Sequence, residues 1–314
     1  MRQAPAASQV SPLDLDGAWR LMLALAERAR RGDAVTTDTC FAARDGAFVP
    51  ATAPLAREGV VVAPARVAVI CASGLPLDAQ VERLCALFLP LLVGPGAHAL
   101  VVGHLGQSLD GRVATPTGVS QFITGSEDVR HTHRLRALFD AVLVGVRTVQ
   151  LDDPRLTTRL AEGPHPTRVV LDPHAKLVPP RKLLDDGEAD TLICTDLARM
   201  PTPLRRGGVT YLGIPLRNGQ FDLAALREAL AARDLRRLFV EGGGVTISRM
   251  LAAGMLDRLH VGVAPMILGS GAPAFALPPI DRLDEALSVR CRHFSLGDDV
   301  LFDCALRGDP LAAE

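Results

Sequence analysis

The chain of 314 residues is poor in aromatic side chains and in lysine, and it carries no excess of charge. Aromatic residues make up 4% of it, with one tryptophan and one tyrosine, and its lysines are Lys176 and Lys182. The 34 basic residues nearly balance the 35 acidic ones, which leaves a net charge of −1. Nucleic acids and anionic membrane surfaces select strongly basic proteins, so we expect neither as a partner.

Cysteine is sparse and scattered, and no two cysteines form a C-x-x-C motif. Zinc and thioredoxin-type sites need two sulfurs within a few residues. No set of Asp, Glu and His has the spacing of metal ligands either, so we expect no metal. Most of the thiols have apolar neighbours, which is typical of buried cysteine. The cysteines are Cys40, Cys71, Cys85, Cys194, Cys291 and Cys304.

The chain also lacks an apolar run that suits a membrane. Residues 84–103 are nearly uncharged, but they contain Pro90, Gly94 and Pro95, and a helix broken in this way is costly in lipid. The first 17 residues lack the apolar core of a signal peptide. We therefore expect no membrane span and a cytoplasmic location.

Residues 1–97 are predicted to form a smaller N-terminal α/β segment of unknown role. Asp14 or Asp16 is a candidate cap for its first helix. The zinc signature of nucleotide deaminases, H-x-E followed by P-C-x-x-C, is absent from the segment. The expected elements are a helix over 18–31, strands at 59–62 and 67–70, and a helix over 78–89.

Residues 98–314 alternate short strands with helices, which predicts parallel crossovers and an α/β sheet with helices on both faces. A turn at Gly297 and Asp298 is the only connection expected between the last two strands, so we expect an antiparallel C-terminal hairpin on a mostly parallel sheet. The strands are expected at 99–103, 141–145, 168–172, 191–195, 209–212, 238–241, 259–264, 287–293 and 300–306. The helices are expected at 127–139, 222–233 and 246–253.

The strongest local motif is a strand at 238–241 that leads into Gly242, Gly243 and Gly244 and then into a helix. Bare backbone lets a ligand approach and a helix N-terminus offers unpaired N–H groups, which favours phosphate or pyrophosphate. A plain tight turn is the alternative. Glu241 ends the strand, at the sheet edge where α/β proteins bind ligands. Its carboxylate could hold substrate hydroxyl or amide donors, or could face the helix dipole.

Two further loops lie at the ends of predicted strands. The first carries His104, whose pKa suits an acid or a substrate contact, although a lone histidine at such a place is more often a structural residue. The second carries Arg147 and Thr148 after Gly145 and indicates another anion site. This loop and the glycine turn at 242–244 give two predicted anion sites, which suit a dinucleotide.

Arginines and histidines between the predicted strands leave further alternatives. Arg155 and Arg159 could clamp a phosphate, or could pair with acidic neighbours on the surface. His131 and His133 stand two residues apart on a helix and do not share a face. We interpret these two histidines as structural.

Eight short motifs occur in order over about residues 99–306. They are SLDGR at 108–112, SQFITG at 120–125, HRLRA at 133–137, LVG at 143–145 with TV at 148–149, DDPRLT at 152–157, RVVLD at 168–172, EGG at 241–243, and AP at 264–265 with LG at 268–269. In these motifs the chain resembles the RibD-type pyrimidine reductases of riboflavin biosynthesis. That family is similar to dihydrofolate reductase in fold, and the resemblance does not cover residues 1–97.

The resemblance implies an NADPH-dependent reductase of 5-amino-6-(5-phosphoribosylamino)uracil, whose ribosyl group becomes ribityl. It implies that hydride reaches an imine or aldehyde-level carbon of the opened sugar, while the protein positions the two reacting carbons. A small phosphorylated pyrimidine is therefore the expected substrate, and a homodimer is the expected assembly.

The family's functional residues fall on named positions of this sequence. Glu241 and His104 are the implied catalytic residues, and Arg159 suits the ribose phosphate. The implied substrate contacts are Ser120, Leu156, Arg159 and Glu241. The implied cofactor contacts are Gly106, Phe122, Thr148, Asp152, Gly243, Gly244, Val245, Thr246, Ile247, Ser248 and Arg249.

Some positions depart from the family pattern. A lysine is common where this chain has His104, a tryptophan is usual at Phe122, and a small residue is usual at Arg147. In the loop that would flank the adenosine 2′-phosphate, His174 and Lys176 are candidates for selecting NADPH, or are ordinary solvated side chains.

Two other functions stay open. A dihydrofolate-reductase-like enzyme acting on a pterin or another heterocycle wants a carboxylate on the first helix of this domain, and Glu127 and Asp128 lie only at its start. A non-catalytic module would keep NADPH as a ligand while residues 1–97 bind a partner. Oxidation of NADPH in the presence of the pyrimidine separates an enzyme from such a module.

Overall fold

The computed structural model describes residues 13–44, 47–51, 59–71, 75–121, 123–201, 205–206 and 208–306. The described chain divides into two compact units, one that ends at Ala97 and one that begins at His98. We propose, as the sequence predicts, an N-terminal domain at 1–97 and a larger domain at 98–314. None of the described helices is both long enough and apolar enough to cross a membrane.

The smaller unit contains two helices and a four-stranded antiparallel sheet. Its elements are α1 (Leu15–Arg30), β1 (Thr39–Arg44), β2 (Ala47–Ala51), β3 (Gly59–Ala63), β4 (Ala68–Cys71) and α2 (Ala79–Phe88), with 3-10 turns at Pro64–Arg66 and Leu89–Leu91. Asp14 caps α1 by accepting a hydrogen bond from the backbone N–H of Gly17 at 2.7 Å. Trp19 of α1 packs edge to face on Phe88 of α2. The sequence did not predict β1 and β2, because alanines and Pro50 obscure the strand pattern there.

A ten-stranded sheet forms the centre of the larger unit. The elements in chain order are β5 (Val101–Ser108), β6 (Arg112–Ala114), α3 (Ser126–Leu138), β7 (Ala141–Gly145), α4 (Val146–Asp152), β8 (Thr167–Leu171), α5 (Lys182–Asp185), β9 (Thr191–Asp196), β10 (Arg205–Arg206), β11 (Val209–Ile214), β12 (Leu216–Arg217), β13 (Gln220–Phe221), α6 (Leu223–Ala231), β14 (Leu238–Glu241), α7 (Gly244–Ala252), β15 (Arg258–Ala264), β16 (Ala272–Pro273), β17 (Arg290–Leu296) and β18 (Asp299–Ala305). Two 3-10 turns lie at Leu197–Arg199 and Leu283–Glu285.

The strand order of this sheet is β10-β11-β9-β8-β7-β14-β5-β15-β18-β17. Neighbours from β11 to β15 pair in parallel, whereas β10, β18 and β17 pair antiparallel. The predicted fold class is confirmed, since the sheet is mostly parallel and ends in the expected hairpin of β17 and β18. Because β14 lies between β5 and β7, the motifs that follow these strands meet at one edge of the sheet.

The two faces of the sheet differ in chemistry. One face packs on α6 and α7 through an apolar cluster that includes Leu105, Leu143 and Ile247. The other face lies under α3, whose buried residues include Asp128 and Arg136. A charged helix face that is buried is uncommon, because an unpaired charge in the interior is costly. The charged face of α3 therefore needs partners on the sheet.

The apolar face gives a stability prediction. Leu143 is fully buried at the centre of β7, so we expect Leu143→Ala to lower the free energy of unfolding by about 3 kcal/mol. Leu160→Ala is the matched control, since that side chain is 54% exposed and its loss should cost less than about 0.5 kcal/mol. Urea unfolding followed by circular dichroism measures both, and equal losses would contradict the placement of β7 in the core.

Candidate active site

A cavity of about 1410 Å³ lies at the carboxyl ends of β7, β8 and β14, beside β5. Pockets for one small molecule usually measure ~300–1,000 Å³, so this cavity has room for two ligands. The carboxyl edge of parallel strands is also where α/β sheets bind ligands. Its polar lining includes His104, Ser120, Asp128, His133, Arg136, Arg147, Thr148, Asp152, His174, Glu241, Thr246 and Arg249.

Glu241, the last residue of β14, is held by Arg136 of α3. Nε of Arg136 donates to Oε2 at 2.8 Å and Nη2 donates to Oε1 at 2.6 Å. A third hydrogen bond runs from Nη1 of Arg136 to the carbonyl oxygen of Thr157 at 2.9 Å. Burial opposes ionisation of Glu241, but the charge and hydrogen bonds of Arg136 outweigh it and lower the pKa of the carboxyl group. Glu241 is therefore an ionised acceptor at the cavity wall.

His104 of β5 forms a second buried pair, with Asp128 of α3. Nε2 of His104 lies 3.0 Å from Oδ1 of Asp128, and both side chains are almost fully buried. Burial disfavours both charged forms, but the mutual attraction and the hydrogen bond outweigh it. The pKa of His104 is raised, and the pKa of Asp128 is lowered to about 2. Asp128 therefore favours the protonated form of His104, beside the ionised Glu241.

Both pairs belong to a polar row that crosses five strands at one level of the sheet. Glu241 on β14 is the register partner of His104 on β5, and His104 is the partner of His260 on β15. His260 lies opposite Asp303 on β18, and Asp303 lies opposite Arg292 on β17. Directly paired residues point to the same face of a sheet. The polar row therefore supplies the partners that the charged face of α3 needs.

Two further histidines of this layer are neutral. Nε2 of His131 lies 3.0 Å from Nδ1 of His260, and the ring of His131 lies 5.6 Å from that of His104, centroid to centroid. Burial lowers the pKa of both His131 and His260. Among these three neighbouring rings, His104 is therefore the one whose surroundings favour the protonated form.

The predicted phosphate clamp is only partly assembled. Nη1 of Arg159 donates to Oγ1 of Thr157 at 2.9 Å, and the backbone N–H of Arg159 donates to Nδ1 of His133 at 2.8 Å. Arg155 instead forms an ion pair with Glu188. The two arginines do not face one ligand together, and neither side chain is part of the cavity lining.

Gly242, Gly243 and Gly244 form the predicted turn from β14 into α7. No side chain of the described residues caps α7 at Gly243, so the first N–H groups of this helix are available to a ligand. A Cβ atom on Gly244 would collide with the backbone just after β16, which restricts this position to glycine. The hydroxyl-bearing side chains of Thr148 and Thr246 line the cavity at the same turn.

The remaining predicted cofactor run splits between the cavity and the core. Val245 and Arg249 line the cavity, as expected for residues one helical turn apart. Ile247 is fully buried in the apolar cluster, and Oγ of Ser248 accepts a hydrogen bond from the backbone N–H of Ala276 at 2.8 Å. The side chains of Ile247 and Ser248 therefore serve the packing of α7.

The other predicted contacts are distributed similarly. Gly106, Ser120 and Asp152 line the cavity, and Oγ of Ser120 donates to Oδ1 of Asp152 at 3.0 Å. Leu156 is buried outside the lining. Phe122 lies outside the described residues.

The candidates for the adenosine 2′-phosphate lie after β8. His174 lines the cavity, whereas Lys176 is exposed and its backbone N–H donates to Oδ1 of Asp172 at 2.9 Å. Arg147, at the start of α4, lines the cavity as well. His174 and Arg147 are therefore better placed than Lys176 to meet an anionic ligand.

Sequence reasoning missed Asp128, His133 and Arg136 as site residues. All three lie on α3 and line the cavity, so His133 is not merely structural. His131, in contrast, is buried against His260, as a structural residue would be. The sequence of the helix could have predicted them, because charged residues on the side of a helix that faces a sheet indicate a functional site rather than an apolar core.

These features define a class of protein: an α/β domain with a cavity large enough for two ligands, a glycine turn into a helix N-terminus, and two buried charge pairs at the strand ends. Residues 99–302 match the family described as the RibD C-terminal domain. The chain belongs to this family, and the resemblance drawn from its motifs is confirmed.

Two relatives illustrate the match. The chain is 36% identical over 219 residues to the 2,5-diamino-6-ribosylamino-4(3H)-pyrimidinone 5′-phosphate reductase of Methanothermobacter thermautotrophicus, covering 66% of this chain and 98% of that protein. It is 37% identical over 198 residues to the riboflavin biosynthesis protein RibD of Aquifex aeolicus, covering 62% of this chain and 54% of that protein. The chain thus spans nearly all of the archaeal relative and about half of the length of the RibD relative.

Solved structures confirm the fold. RibD of Acinetobacter baumannii superimposes with a TM-score of 0.61 at 20% identity, covering 92% of this chain and 98% of that one. A diaminohydroxyphosphoribosylaminopyrimidine deaminase/5-amino-6-(5-phosphoribosylamino)uracil reductase of Thermotoga maritima superimposes with a TM-score of 0.58 at 24% identity. The match covers 72% of this chain and 61% of that one.

The pair of Arg136 and Glu241 gives a pH-dependent prediction. Because the pKa of Glu241 is lowered in the folded state, the pair adds stability above about pH 4.3 and loses it as the pH falls through the folded pKa. We expect Arg136→Gln to destabilise the protein by about 3 kcal/mol at pH 7, with the difference in unfolding free energy from the wild type narrowing below about pH 4. Urea titrations at several pH values measure this difference.

The matched control for Arg136→Gln is Arg130→Gln on the same helix. The side chain of Arg130 is 49% exposed and pairs with Glu127 at 3.5 Å, so its loss should change stability by less than about 1 kcal/mol at any pH. A difference for Arg136→Gln that is independent of pH would contradict the role of Glu241 as its charged partner.

Proposed function

We propose that the protein is an NADPH-dependent reductase of 5-amino-6-(5-phosphoribosylamino)uracil in riboflavin biosynthesis. The observation that carries the proposal is the pairing of an ionised acceptor, Glu241, with a protonated donor, His104, on neighbouring strands at the wall of a two-ligand cavity. Membership in the family and the reductase named for the archaeal relative support the substrate class.

The residues of the cavity fit a nicotinamide dinucleotide phosphate. The uncapped N-terminus of α7 suits the diphosphate, with Thr148 and Thr246 as additional hydrogen-bond donors. His174 and Arg147 suit the extra phosphate that distinguishes NADPH from NADH. When bound, this cofactor supplies the hydride that reduces the substrate carbon.

The substrate side of the cavity is fixed by Glu241. Both of its oxygens are held by Arg136, so the carboxylate is oriented before a ligand arrives and can accept N–H or O–H groups of the pyrimidine or the opened sugar. Such preorganised charge is an effective source of catalysis. Ser120, which lines the cavity, is a further proposed substrate contact. Arg159, the proposed contact of the ribose phosphate, and Leu156 lie outside the lining, so they would meet the substrate only after a side chain moves.

His104 is the proposed acid. Reduction of a C=N or C=O bond leaves a pair of electrons on nitrogen or oxygen, and that atom takes a proton. A protonated imidazole in the cavity wall can give this proton at neutral pH. Glu241, being ionised, cannot.

A second candidate substrate follows from the archaeal relative. Its name describes a pyrimidinone with an amino group where the uracil has an oxo group, and the chain covers 98% of that protein at 36% identity. Assays with both pyrimidines side by side distinguish the two substrates. Binding of NADPH without oxidation by either one would favour a non-catalytic module.

Glu241→Gln tests the proposed function. The variant removes the charge but keeps the shape, so we expect kcat to fall by at least ~100-fold while NADPH still binds. Absorbance of the reduced nicotinamide measures turnover, and fluorescence titration measures binding. Glu228→Gln, an exposed position on α6, is the control and should behave as wild type. Loss of both turnover and binding in Glu241→Gln would show that Glu241 only supports the fold.

We also propose that the protein is a homodimer formed through its C-terminal hairpin. β17 is the last strand of the sheet, and an edge strand leaves backbone groups ready to pair with another chain. Exposed apolar side chains lie on this hairpin and in the segment before it. They are Leu283, Leu287, Val289, Val300 and Phe302.

Phe302→Glu tests this assembly. A charge in a buried subunit interface is costly, so we expect the variant to sediment as a monomer at concentrations where the wild type is a dimer. Leu197→Glu is the control, because Leu197 is 58% exposed and follows β9, away from the hairpin. A wild type that sediments as a monomer would refute the dimer.

A further inference from the structure

Asp128 is a buried acid to which the proposed function gives no role. Acids are common in the first turn of a helix because they face the positive end of its dipole. Glu127 is such a residue, with a side chain that is 42% exposed. Asp128, one position later, is only 2% exposed and directs Oδ1 to Nε2 of His104 at 3.0 Å. The contact with His104, and not the helix dipole, therefore accounts for the burial of Asp128.

Gly262 of β15 makes room for this carboxylate. A Cβ atom at Gly262 would lie 2.9 Å from Oδ1 and 3.1 Å from Oδ2 of Asp128. Glycine weakens a strand interior, and Gly262 does not adopt a left-handed conformation that would otherwise call for it. The space it leaves is therefore what allows Asp128 to reach His104.

Asp303, the carboxylate next to His260, does not compete with Asp128 for the proton of His104. Nε2 of His260 lies 3.2 Å from Oδ1 of Asp303. Asp303, however, already accepts hydrogen bonds from the guanidinium groups of Arg258 and Arg292. Burial outweighs the attraction of Asp303 for His260, and the charge of Arg258 adds to its effect, so that the pKa of His260 is lowered. His260 is therefore neutral, whereas the carboxylate of Asp128 pairs with His104.

The charged and titratable groups around His104 come from three elements. They are Asp128, His131 and Arg136 on α3, Glu241 on β14 and His260 on β15. Arg136 and Glu241 neutralise each other by pairing, and His131 and His260 are neutral. Asp128 is thus the group that decides the protonation of His104.

We propose that Asp128 is a positioning residue of the reductase, which holds His104 by Nε2 and keeps its imidazole protonated, so that Nδ1 is the nitrogen that serves the substrate. The proposal rests on the proposed function, because it explains how His104 can act as the acid where the family commonly has a lysine. Burial lowers the pKa of both side chains, but lysine starts at about 10.4 and histidine at about 6.5, so at neutral pH a buried histidine depends more on a carboxylate to stay charged.

Hydride adds to the carbon of the C=N bond in the opened ribosyl imine, and the π electrons of that bond move to nitrogen. The nitrogen takes the proton from Nδ1 of His104, which becomes neutral and regains a proton from water. The two electrons come with the hydride from NADPH, the reductant named in the proposed function.

Asp128→Asn tests the proposal through its pH profile. The amide keeps the shape but removes the charge, so His104 becomes protonated only at lower pH. We expect kcat at pH 8 to fall about tenfold and to recover toward the wild-type value near pH 6. Glu127→Gln, the exposed neighbour on the same turn, should keep the wild-type profile. An unchanged profile in Asp128→Asn would overturn the proposal.

The variant His104→Lys separates positioning from folding. In that background the charge no longer depends on the carboxylate, so Asp128→Asn should lower kcat at pH 8 by less than about twofold relative to the single variant. Equal losses with histidine and with lysine at position 104 would show that Asp128 only supports the fold.

A measurement on the wild type keeps this test independent of the variants and of turnover. Nuclear magnetic resonance titration of the His104 imidazole should give a pKa above the usual ~6.5, and a value below it would overturn the proposal. A wild type that reduces neither pyrimidine would refute the proposed function, whereas this titration would still report on the pair of Asp128 and His104.

Discussion

Buried charge beneath α3 is the constraint on which the rest of the site depends. Arg136 and Asp128 project from the helix, and Glu241 and His104 project from the sheet. Each of these buried charges is stable only because it pairs with a charge on the other element. A buried charge without its partner costs several kcal/mol. Because the two pairs join one helix to two adjacent strands, they hold the helix, the strand ends and the cavity wall in one arrangement.

The same two pairs give the site its chemical polarity. One fixes an anion that accepts hydrogen bonds, and the other fixes a cation that can give a proton. Environments that shift neighbouring pKa values in opposite directions are the general way in which proteins assign acid and acceptor roles. The chain provides this difference within one polar row of the sheet, while the other face of the sheet is an ordinary apolar core.

Local patterns predicted much of the fold and part of the site. The strands at 141–145 and 238–241 and the glycine turn into α7 are read from neighbouring residues, and the structure confirms them. Asp128 and Arg136 could not be predicted in this way, because their partners lie 24 and 105 residues away in the chain. Ile247 and Ser248 were predicted as cofactor contacts but pack in the core, because a prediction for consecutive residues 243–249 does not specify which side of the helix faces the ligand.

The most direct measurement follows a deuterium label from the reduced nicotinamide carbon of NADPH into the product of the pyrimidine reaction. If Glu241 and His104 serve hydride transfer to the opened sugar, mass spectrometry and proton resonance should place one deuterium on the first carbon of the ribityl group. Oxidation of labelled NADPH that leaves the pyrimidine product unlabelled would contradict that role. So would bound NADPH that neither pyrimidine oxidises.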